Sequence, residues 1–314
     1  MSNKELIEKI VSLKREKNAV ILGHYYQCKE IQELSDYIGD SLALAKQAQD
    51  TTADIIVFCG VRFMAETAKI LNPERKVVLP DMDASCSLEE SCPADALAKF
   101  KAEHPDHIVM SYINCSAQVK ALSDIICTSG NAEKIIKALP ADQKIIFAPD
   151  RNLGGYINSI TGRNMLLWDG VCTVHDAMQA ENVLKLKEQY PDACVIAHPE
   201  CNAAMLAVAD YIGSTKGMLN FIKKSGKRQF IVVTETGILY EMQRENPDKQ
   251  FLTLKNNADC ACSDCAFMKL NTLEKLYSCL LNESPEIVMD KALMDSARRP
   301  IIKMLDMSKQ LGII

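Results

Sequence analysis

The chain has 314 residues, of which 48% are hydrophobic and 25% are charged, and its formal net charge is -5. This composition is typical of a soluble globular protein with room for two or three domains, and its scattered basic residues give no electrostatic reason to expect a nucleic-acid partner. No apolar run approaches the roughly 18 residues of a membrane span and no signal peptide is visible, so we expect a cytoplasmic protein with no membrane partner.

A repeated pattern divides the chain into three modules. Each module opens with an apolar segment that ends in His or Tyr, and an aspartate follows 12 residues later: His24 and Asp36, Tyr112 and Asp124, His198 and Asp210. The modules are 88 and then 86 residues apart, whereas solenoid repeats run to about 20 to 50 residues. The pattern therefore predicts three small domains around a pseudo-threefold axis, with equivalent residues facing one shared site.

The same order of elements is predicted in every module. A first strand is followed by a short helix, a brief strand at the repeated aspartate, a longer helix, and a third and a fourth strand. Good N-cap residues indicate that the longer helices begin near Ser41, Ser129 and Thr215. The first strands are predicted at 19–23, 108–111 and 194–197, the third at 54–59, 144–148 and 230–233, and the fourth at 76–79, 165–167 and 251–254.

The predicted strands are continuous apolar runs that alternate with helices, which indicates parallel sheets covered on both faces. The predicted fold class is therefore α/β, with three pseudo-threefold-related α/β/α sandwich domains whose short parallel sheets surround a central site. We expect the domains at 1–87, 88–173 and 174–265, with helices in 267–314 packing back on the first. Ligands of such sheets bind at the carboxyl ends of the strands, where His24, Tyr112 and His198 lie.

Thirteen cysteines need an explanation in a chain expected in the reducing cytosol, where structural disulfides are rare. Metal ligation is the leading explanation for some of them. In each module a cysteine follows the fourth strand and precedes a helix, which gives the set Cys86, Cys172 and Cys265. One thiolate from each module would form a three-cysteine site for an iron-sulfur cluster, and a cluster held by three thiolates keeps one iron open as a Lewis acid.

A second cysteine set competes with the first. Cys115 and Cys201 occupy equivalent positions three residues past the strand ends, but the first module has Cys28 one step out of register. The repeat favours the first set without excluding the second. Cysteines are also crowded near the end of the third module, which suits a redox pair or half of a zinc site; these are Cys260, Cys262 and Cys265.

Polar residues recur two positions beyond the strand ends, at Tyr26, Asn114 and Glu200. Glu200 is the best candidate for a general base, and burial beside a metal site is expected to raise its pKa toward neutrality. Tyr26 and Tyr112 are candidate proton donors or orienting groups. Helix N-termini attract anions, so a substrate with phosphate or carboxylate groups would suit the helix starts, which carry Ser41, Ser129, Ser214 and Thr215.

Seven segments match a known family: Gly23–Gln27, Gly39–Leu42, Tyr112–Ala117, Pro149–Gly154, Trp168–His175, His198–Cys201 and Cys265–Lys269. On these segments the chain resembles, over nearly its whole length, the quinolinate synthases, the iron-sulfur quinolinate synthetase A family. The resemblance implies condensation of iminoaspartate with dihydroxyacetone phosphate to quinolinate, with loss of phosphate and water, in the de novo biosynthesis of NAD. It also implies three α/β/α domains around a 4Fe-4S cluster and a supply of iminoaspartate from an aspartate-oxidising enzyme.

The metal ligands also follow from the resemblance. One cysteine per domain carries over, namely Cys86, Cys172 and Cys265, and the fourth iron would bind substrate or an intermediate. One departure concerns the last module: some members have Cys-x-x-Cys-x-x-Cys there, whereas Cys260 lies one residue too close to Cys262. This departure puts a regulatory disulfide with Cys265 in question.

The resemblance further implies which residues line the substrate cavity. Glu200 would act as acid and base in the dehydration and tautomerisation steps, assisted by Tyr26 and His198. Tyr112, as a further catalytic residue, and Asn114 would position the intermediate. Hydroxyl groups and helix ends would hold phosphate and carboxylates. The full set is His24, Tyr26, Ser41, Tyr112, Asn114, Ser129, His198, Glu200, Ser214 and Thr215.

Two other classes of function stay open from the residues alone. A redox or ligand sensor would signal through its cluster to a partner and would have little use for Glu200. A zinc-stabilised scaffold would need four tight ligands. Metal analysis separates the scaffold from the other two, and an inert Glu200→Gln substitution would favour the sensor.

Overall fold

The computed structural model describes residues 2–254 and 263–314. The first module contains, in chain order, α1 (Asn3–Glu16), β1 (Ala19–His24), α2 (Lys29–Leu34), β2 (Tyr37–Gly39), α3 (Ser41–Asp50), β3 (Ile55–Cys59), α4 (Arg62–Leu71), β4 (Lys76–Val78) and α5 (Ser87–Ser91). The second contains α6 (Ala94–Glu103), β5 (Ile108–Tyr112), α7 (Ala117–Leu122), β6 (Ile125–Cys127), α8 (Ala132–Ala138), β7 (Ile145–Ala148), α9 (Arg151–Thr161), β8 (Leu166–Leu167) and α10 (Thr173–Asp176).

The third module repeats this plan and is followed by a helical tail. It contains α11 (Ala180–Gln189), β9 (Cys194–Ala197), α12 (Ala203–Ala207), β10 (Tyr211–Ile212), α13 (Thr215–Lys224), β11 (Gln229–Val233), α14 (Ile238–Glu245) and β12 (Gln250–Thr253). The tail contains a 3₁₀ turn (Met268–Leu270), α15 (Leu273–Asn282) and α16 (Lys291–Gln310). The predicted strands are confirmed to within about one residue at each end.

Each module builds one four-stranded sheet in which all neighbouring strands are parallel. The strand orders are β2-β1-β3-β4, β6-β5-β7-β8 and β10-β9-β11-β12, so one topology occurs three times. The inner strands are almost wholly buried, as in β3, because apolar side chains cover both faces of the sheet. The predicted α/β class with three similar α/β/α units is confirmed.

The repeated aspartate has a structural role that explains its fixed spacing. In each module its carboxylate accepts a hydrogen bond of 2.8 Å from a backbone N–H of the first strand; the pairs are Asp36 with Ile21, Asp124 with Val109, and Asp210 with Val195. The backbone N–H of the aspartate also donates to the carbonyl of the same strand residue, at 2.8 to 2.9 Å. These paired bonds attach the start of the brief second strand to the first strand and fix the register between the two.

One helix begins later than predicted. The structure begins α8 at Ala132 rather than near Ser129, because the side chain of Asn131 accepts a hydrogen bond from the backbone N–H of Thr128 at 2.6 Å and closes a turn first. The same amide donates to Ser308 of α16 at 3.0 Å. The second module therefore presents a turn where the other two present the first residue of a helix.

The tail packs on two modules. Helix α15 contributes Leu276 and Leu280 to a core shared with α1 and β3 of the first module, where Leu6 and Ile10 are buried. Helix α16 packs mainly against α7 and β6 of the second module and also against α4 of the first. None of the helices in the described residues is both long enough and apolar enough to cross a membrane.

Candidate active site

A cavity of about 360 Å³ lies at the carboxyl ends of the first strands, where all three modules meet. Its volume suits a small-molecule ligand. The sequence-predicted residues that line it are His24, Tyr26, Ser41, Cys86, Tyr112, Asn114, Ser129, Cys172, His198, Glu200, Thr215 and Cys265. The structure thus brings together twelve of the thirteen predicted site residues. Ser214 is the one predicted residue that does not line the cavity. It caps α13, where its hydroxyl accepts a hydrogen bond from the backbone N–H of Gly217 at 3.1 Å.

Two strand-end histidines are held in the same way. The backbone N–H of Tyr26 donates to Nδ1 of His24 at 3.1 Å, and that of Glu200 donates to Nδ1 of His198 at 3.4 Å. Burial lowers the pKa of both imidazoles to about 3, so both are neutral near pH 7. Because Nδ1 accepts, Nε2 carries the hydrogen in each ring. Nε2 of His198 contacts Oγ of Ser129 in the second module at 3.2 Å.

Glu200 of the third module accepts hydrogen bonds from two residues of the second module. The Tyr112 hydroxyl donates to Oε1 at 2.5 Å, and Nδ1 of His175 lies 2.9 Å from Oε2. Burial raises the pKa of Glu200, but the two histidines beside it and the hydrogen bonds from His175 and Tyr112 outweigh burial and lower the pKa below its ordinary value. The expectation of a raised pKa was therefore wrong, because burial is visible in the sequence pattern and the number of converging donors is not.

A chain of hydrogen bonds connects Tyr26 with Glu200. The Tyr26 hydroxyl lies 2.8 Å from Oγ1 of Thr234, which lies 2.9 Å from Nε2 of His175. The ionised carboxylate of Glu200 only accepts, so Nδ1 of His175 carries a hydrogen, and in the neutral imidazole Nε2 then accepts from Thr234. The hydroxyl of Thr234 is then used as a donor, and its oxygen accepts from Tyr26. The order of donation runs from Tyr26 through Thr234 and His175 to Glu200.

The three predicted cysteines are anchored by one repeated backbone hydrogen bond. In each module the residue three positions after the third strand donates its backbone N–H to the carbonyl of the residue two positions before the cysteine. The pairs are Arg62 with Ala84 at 2.7 Å, Arg151 with Gly170 at 2.9 Å, and Thr236 with Ser263 at 3.1 Å. This equivalence places Cys86, Cys172 and Cys265 at one structural position of three modules.

The thiols of these cysteines face one another across the cavity. Electrostatic interactions connect Cys86 with both Cys172 and Cys265, and burial raises the pKa of all three thiols. Backbone N–H groups of the turn that follows each cysteine act in the opposite direction and favour the thiolate. Nδ1 of His175 also lies 3.2 Å from Sγ of Cys172, and Cys172, His175 and Glu200 offer ligand atoms within 4.8 Å of one another.

The competing cysteine set does not converge. Cys115 and Cys201 are fully buried in two different hydrophobic cores, and Cys28 packs against a third. These three cysteines are absent from the lining of the cavity. Cys260 and Cys262, which raised the question of a disulfide with Cys265, lie outside the described residues.

Several buried polar atoms at the cavity have no partner within the described part of the chain. They are Oδ1 of Asn114, Oγ of Ser85 and Oγ1 of Thr128, and all three residues line the cavity. Buried polar atoms are nearly always hydrogen-bonded in native proteins, so unpaired atoms at a cavity mark positions where a ligand or water binds. Asn114 was predicted from the repeat, whereas Ser85 and Thr128 were not.

Sequence reasoning missed residues at the ends of the third strands and in the turns after the cysteines. Thr234 and Glu235 follow β11, His175 lies three residues after Cys172, and Lys269 lies four residues after Cys265. The repeat itself contained the signal for the first two. Aligning the third strands as well as the first would have placed Thr234 and Glu235 at the same edge of the sheet as the predicted site.

The fold and the site define an enzyme of the three-module α/β class, with acid–base groups and three thiols in one cavity. A family model described as Quinolinate synthetase A protein matches residues 8–306. The chain belongs to this family.

Three relatives that cover nearly the whole chain are quinolinate synthases. A quinolinate synthase from Synechocystis sp. is 57% identical over 305 residues, which cover 97% of this chain and 96% of that protein. The quinolinate synthase of Thermosynechococcus vestitus is also 57% identical over 305 residues, with the same coverage. That of Chloroherpeton thalassium is 54% identical over 310 residues, which cover 98% of this chain and 96% of the relative.

Proposed function

We propose that the protein is a quinolinate synthase, which condenses iminoaspartate with dihydroxyacetone phosphate to quinolinate and releases phosphate and water in the biosynthesis of NAD. Family membership over residues 8–306 supports this reaction. The observation that carries it is the convergence of three thiols and the Glu200 hydrogen-bond network on a single cavity. A supply of iminoaspartate from an aspartate-oxidising enzyme is part of the proposal.

The residues present fit a 4Fe-4S cluster with three protein ligands. Cys86, Cys172 and Cys265 lie at equivalent positions, all three line the cavity, and backbone N–H groups favour each thiolate. When bound there, the cluster supplies an open iron that acts as a Lewis acid on a substrate oxygen. The same cavity contains the groups that handle protons, so metal and acid–base chemistry would share one substrate.

Substrate binding is assigned to donors on the three modules. Nε2–H of His24 is available to the cavity because Nδ1 is occupied by a backbone N–H. Helices α3 and α13 begin at the cavity with Ser41 and Thr215, and helix N-termini favour the phosphate and carboxylate groups of the substrates. The remaining members of the binding set are Tyr112, Asn114, Ser129, His198, Glu200 and Ser214, the last through its place at the start of α13.

Acid–base chemistry is assigned to Glu200 and its neighbours. Each water lost during ring formation needs a base for a C–H or N–H proton and an acid for the departing hydroxyl. The ionised Glu200 carboxylate takes a proton and can return it as a carboxylic acid. Tyr112 and His175 hold the carboxylate in place, Tyr26 marks the far end of the hydrogen-bond chain, and His198 assists beside Glu200.

Anaerobic purification tests this function directly. Iron and sulfide are measured per chain, and quinolinate formation is followed after iminoaspartate and dihydroxyacetone phosphate are added. We expect about four irons per chain, as for one 4Fe-4S cluster, and release of phosphate with quinolinate. A protein that carries the cluster and forms no quinolinate would refute the proposed reaction.

A further inference from the structure

Glu235 lines the cavity, but the proposed reaction gives it no role. Its side chain is only 1% exposed. Oε1 accepts a hydrogen bond from the backbone N–H of Cys265 at 3.2 Å and lies 2.7 Å from Nζ of Lys269. Oε2 accepts from the backbone N–H of Gly237 at 2.7 Å. One buried carboxylate thus binds the backbone of a predicted cluster ligand, a cation and the loop after its own strand.

Lys269 extends this contact to the first module. Its ammonium group, besides its ion pair with Glu235, donates to the backbone carbonyl of Tyr26 at 2.7 Å. The two loops approach so closely that a Cβ atom on Gly237 would lie 2.7 Å from Cα of Tyr26. The Glu235–Lys269 pair therefore links the Cys265 segment to the loop that carries a proposed catalytic tyrosine.

At the equivalent position of the other two modules, no carboxylate binds the backbone of the cysteine. The positions equivalent to Glu235, two residues after the third strand, are Val61 and Asp150. Val61 has no acceptor in its side chain, and Oδ1 of Asp150 accepts from the N–H groups at the start of its own helix α9. Helices follow Cys86 and Cys172 directly, whereas a 3₁₀ turn begins three residues after Cys265. Cys265 therefore has less regular secondary structure after it than the other two cysteines, and its backbone makes an additional hydrogen bond to the side chain of Glu235.

We infer that Glu235 is a positioning residue for the third cluster ligand, which holds the backbone of Cys265 so that its thiol faces the other two, and that Lys269 ties this ligand to Tyr26. This inference rests on the proposed function. A hydrogen bond at the backbone N–H fixes the direction of the Cys265 side chain before the metal binds. Replacement by glutamine removes one of the two acceptor oxygens, so the Gly237 and Cys265 contacts can no longer both be made.

Cluster loading tests the role without relying on turnover. The wild type and the Glu235→Gln and Glu235→Asp variants are reconstituted anaerobically, and iron, sulfide and the electron paramagnetic resonance signal of the reduced protein are compared. We expect each variant to hold at most half of the wild-type iron, with an altered signal from the iron that remains. Circular dichroism identifies a variant that fails to fold. If Glu235→Gln does not fold, Glu235→Asp is compared with the wild type instead, because the shorter side chain keeps the charge but cannot reach both loops.

Glu241→Gln is the matched control. Glu241 is also buried in the third module and pairs with Arg244 at 2.6 Å, but it does not line the cavity. We expect this variant to load iron like the wild type.

Two results would overturn the positioning role: wild-type iron and an unchanged signal in folded Glu235 variants, or an equal loss of iron in the Glu241 control. Either result would leave the proposed reaction intact. A wild type that loads the cluster but makes no quinolinate refutes the reaction instead.

Discussion

Thr234→Val should slow turnover without weakening substrate binding. Thr234 is 1% exposed, and its hydroxyl connects the Tyr26 hydroxyl, at 2.8 Å, with Nε2 of His175, at 2.9 Å. Valine has nearly the same shape but removes both hydrogen bonds. Each neutral hydrogen bond contributes about 1 kcal/mol, so the orientation of the network loses about 2 kcal/mol. At about 1.4 kcal/mol per tenfold, kcat should fall roughly 30-fold.

The assay is anaerobic quinolinate formation with kcat and KM measured separately. Thr234 does not line the cavity, so KM should stay within about threefold of the wild type, as expected when only the transition state loses an interaction. Thr234→Ser is the matched control, because it keeps the hydroxyl and should restore most of kcat. A valine variant within twofold of the wild type in kcat, or one that changes KM alone, would refute the reasoning.

Three further predictions concern ligands, chemistry and folding. Cys172→Ser should abolish cluster assembly while Cys115→Ala leaves it intact, and normal iron content in the first variant would contradict the ligand assignment. Glu200→Gln should retain the cluster and lower kcat about 100-fold, the lower end of general acid–base contributions, and unchanged turnover would contradict the role of Glu200 as the acid–base group. Asp210→Ala should lower the free energy of unfolding by about 1 kcal/mol, because the hydrogen bond to the Val195 N–H is lost, and an unchanged urea midpoint would contradict this.

The repeat made the fold predictable. The inner strands are continuous apolar runs, and the aspartate that follows each first strand is fixed by a 2.8 Å hydrogen bond to that strand, so its spacing could be read from the sequence. The start of α8 could not, because the turn before it depends on Asn131, whose side chain also contacts Ser308, 177 residues away. Capping rules consider only neighbouring residues, so they cannot predict a helix start that depends on a contact so far away in the sequence.

The site was predictable where it follows the ends of the first strands. His24, Tyr112 and His198 have the same backbone position in three modules, so their convergence follows from the symmetry of the fold. The charge state of Glu200 was not predictable, because it depends on donors that come from other segments. Tyr112 belongs to a different module, and His175 lies 25 residues earlier in the chain.

The third-strand ends explain how a symmetric frame holds an asymmetric site. The residues directly after the three third strands are Gly60, Pro149 and Thr234, and only Thr234 has a side chain that forms hydrogen bonds. Its neighbour Glu235 binds the Cys265 segment, whereas the backbone bond that anchors each cysteine segment is common to all three modules. The common bond therefore builds a threefold set of thiols, and side chains unique to the third module orient the proton-handling groups on one side of it. A cavity with this asymmetry can distinguish the two ends of a bound substrate, which a reaction that removes a proton at one atom and a hydroxyl at another requires.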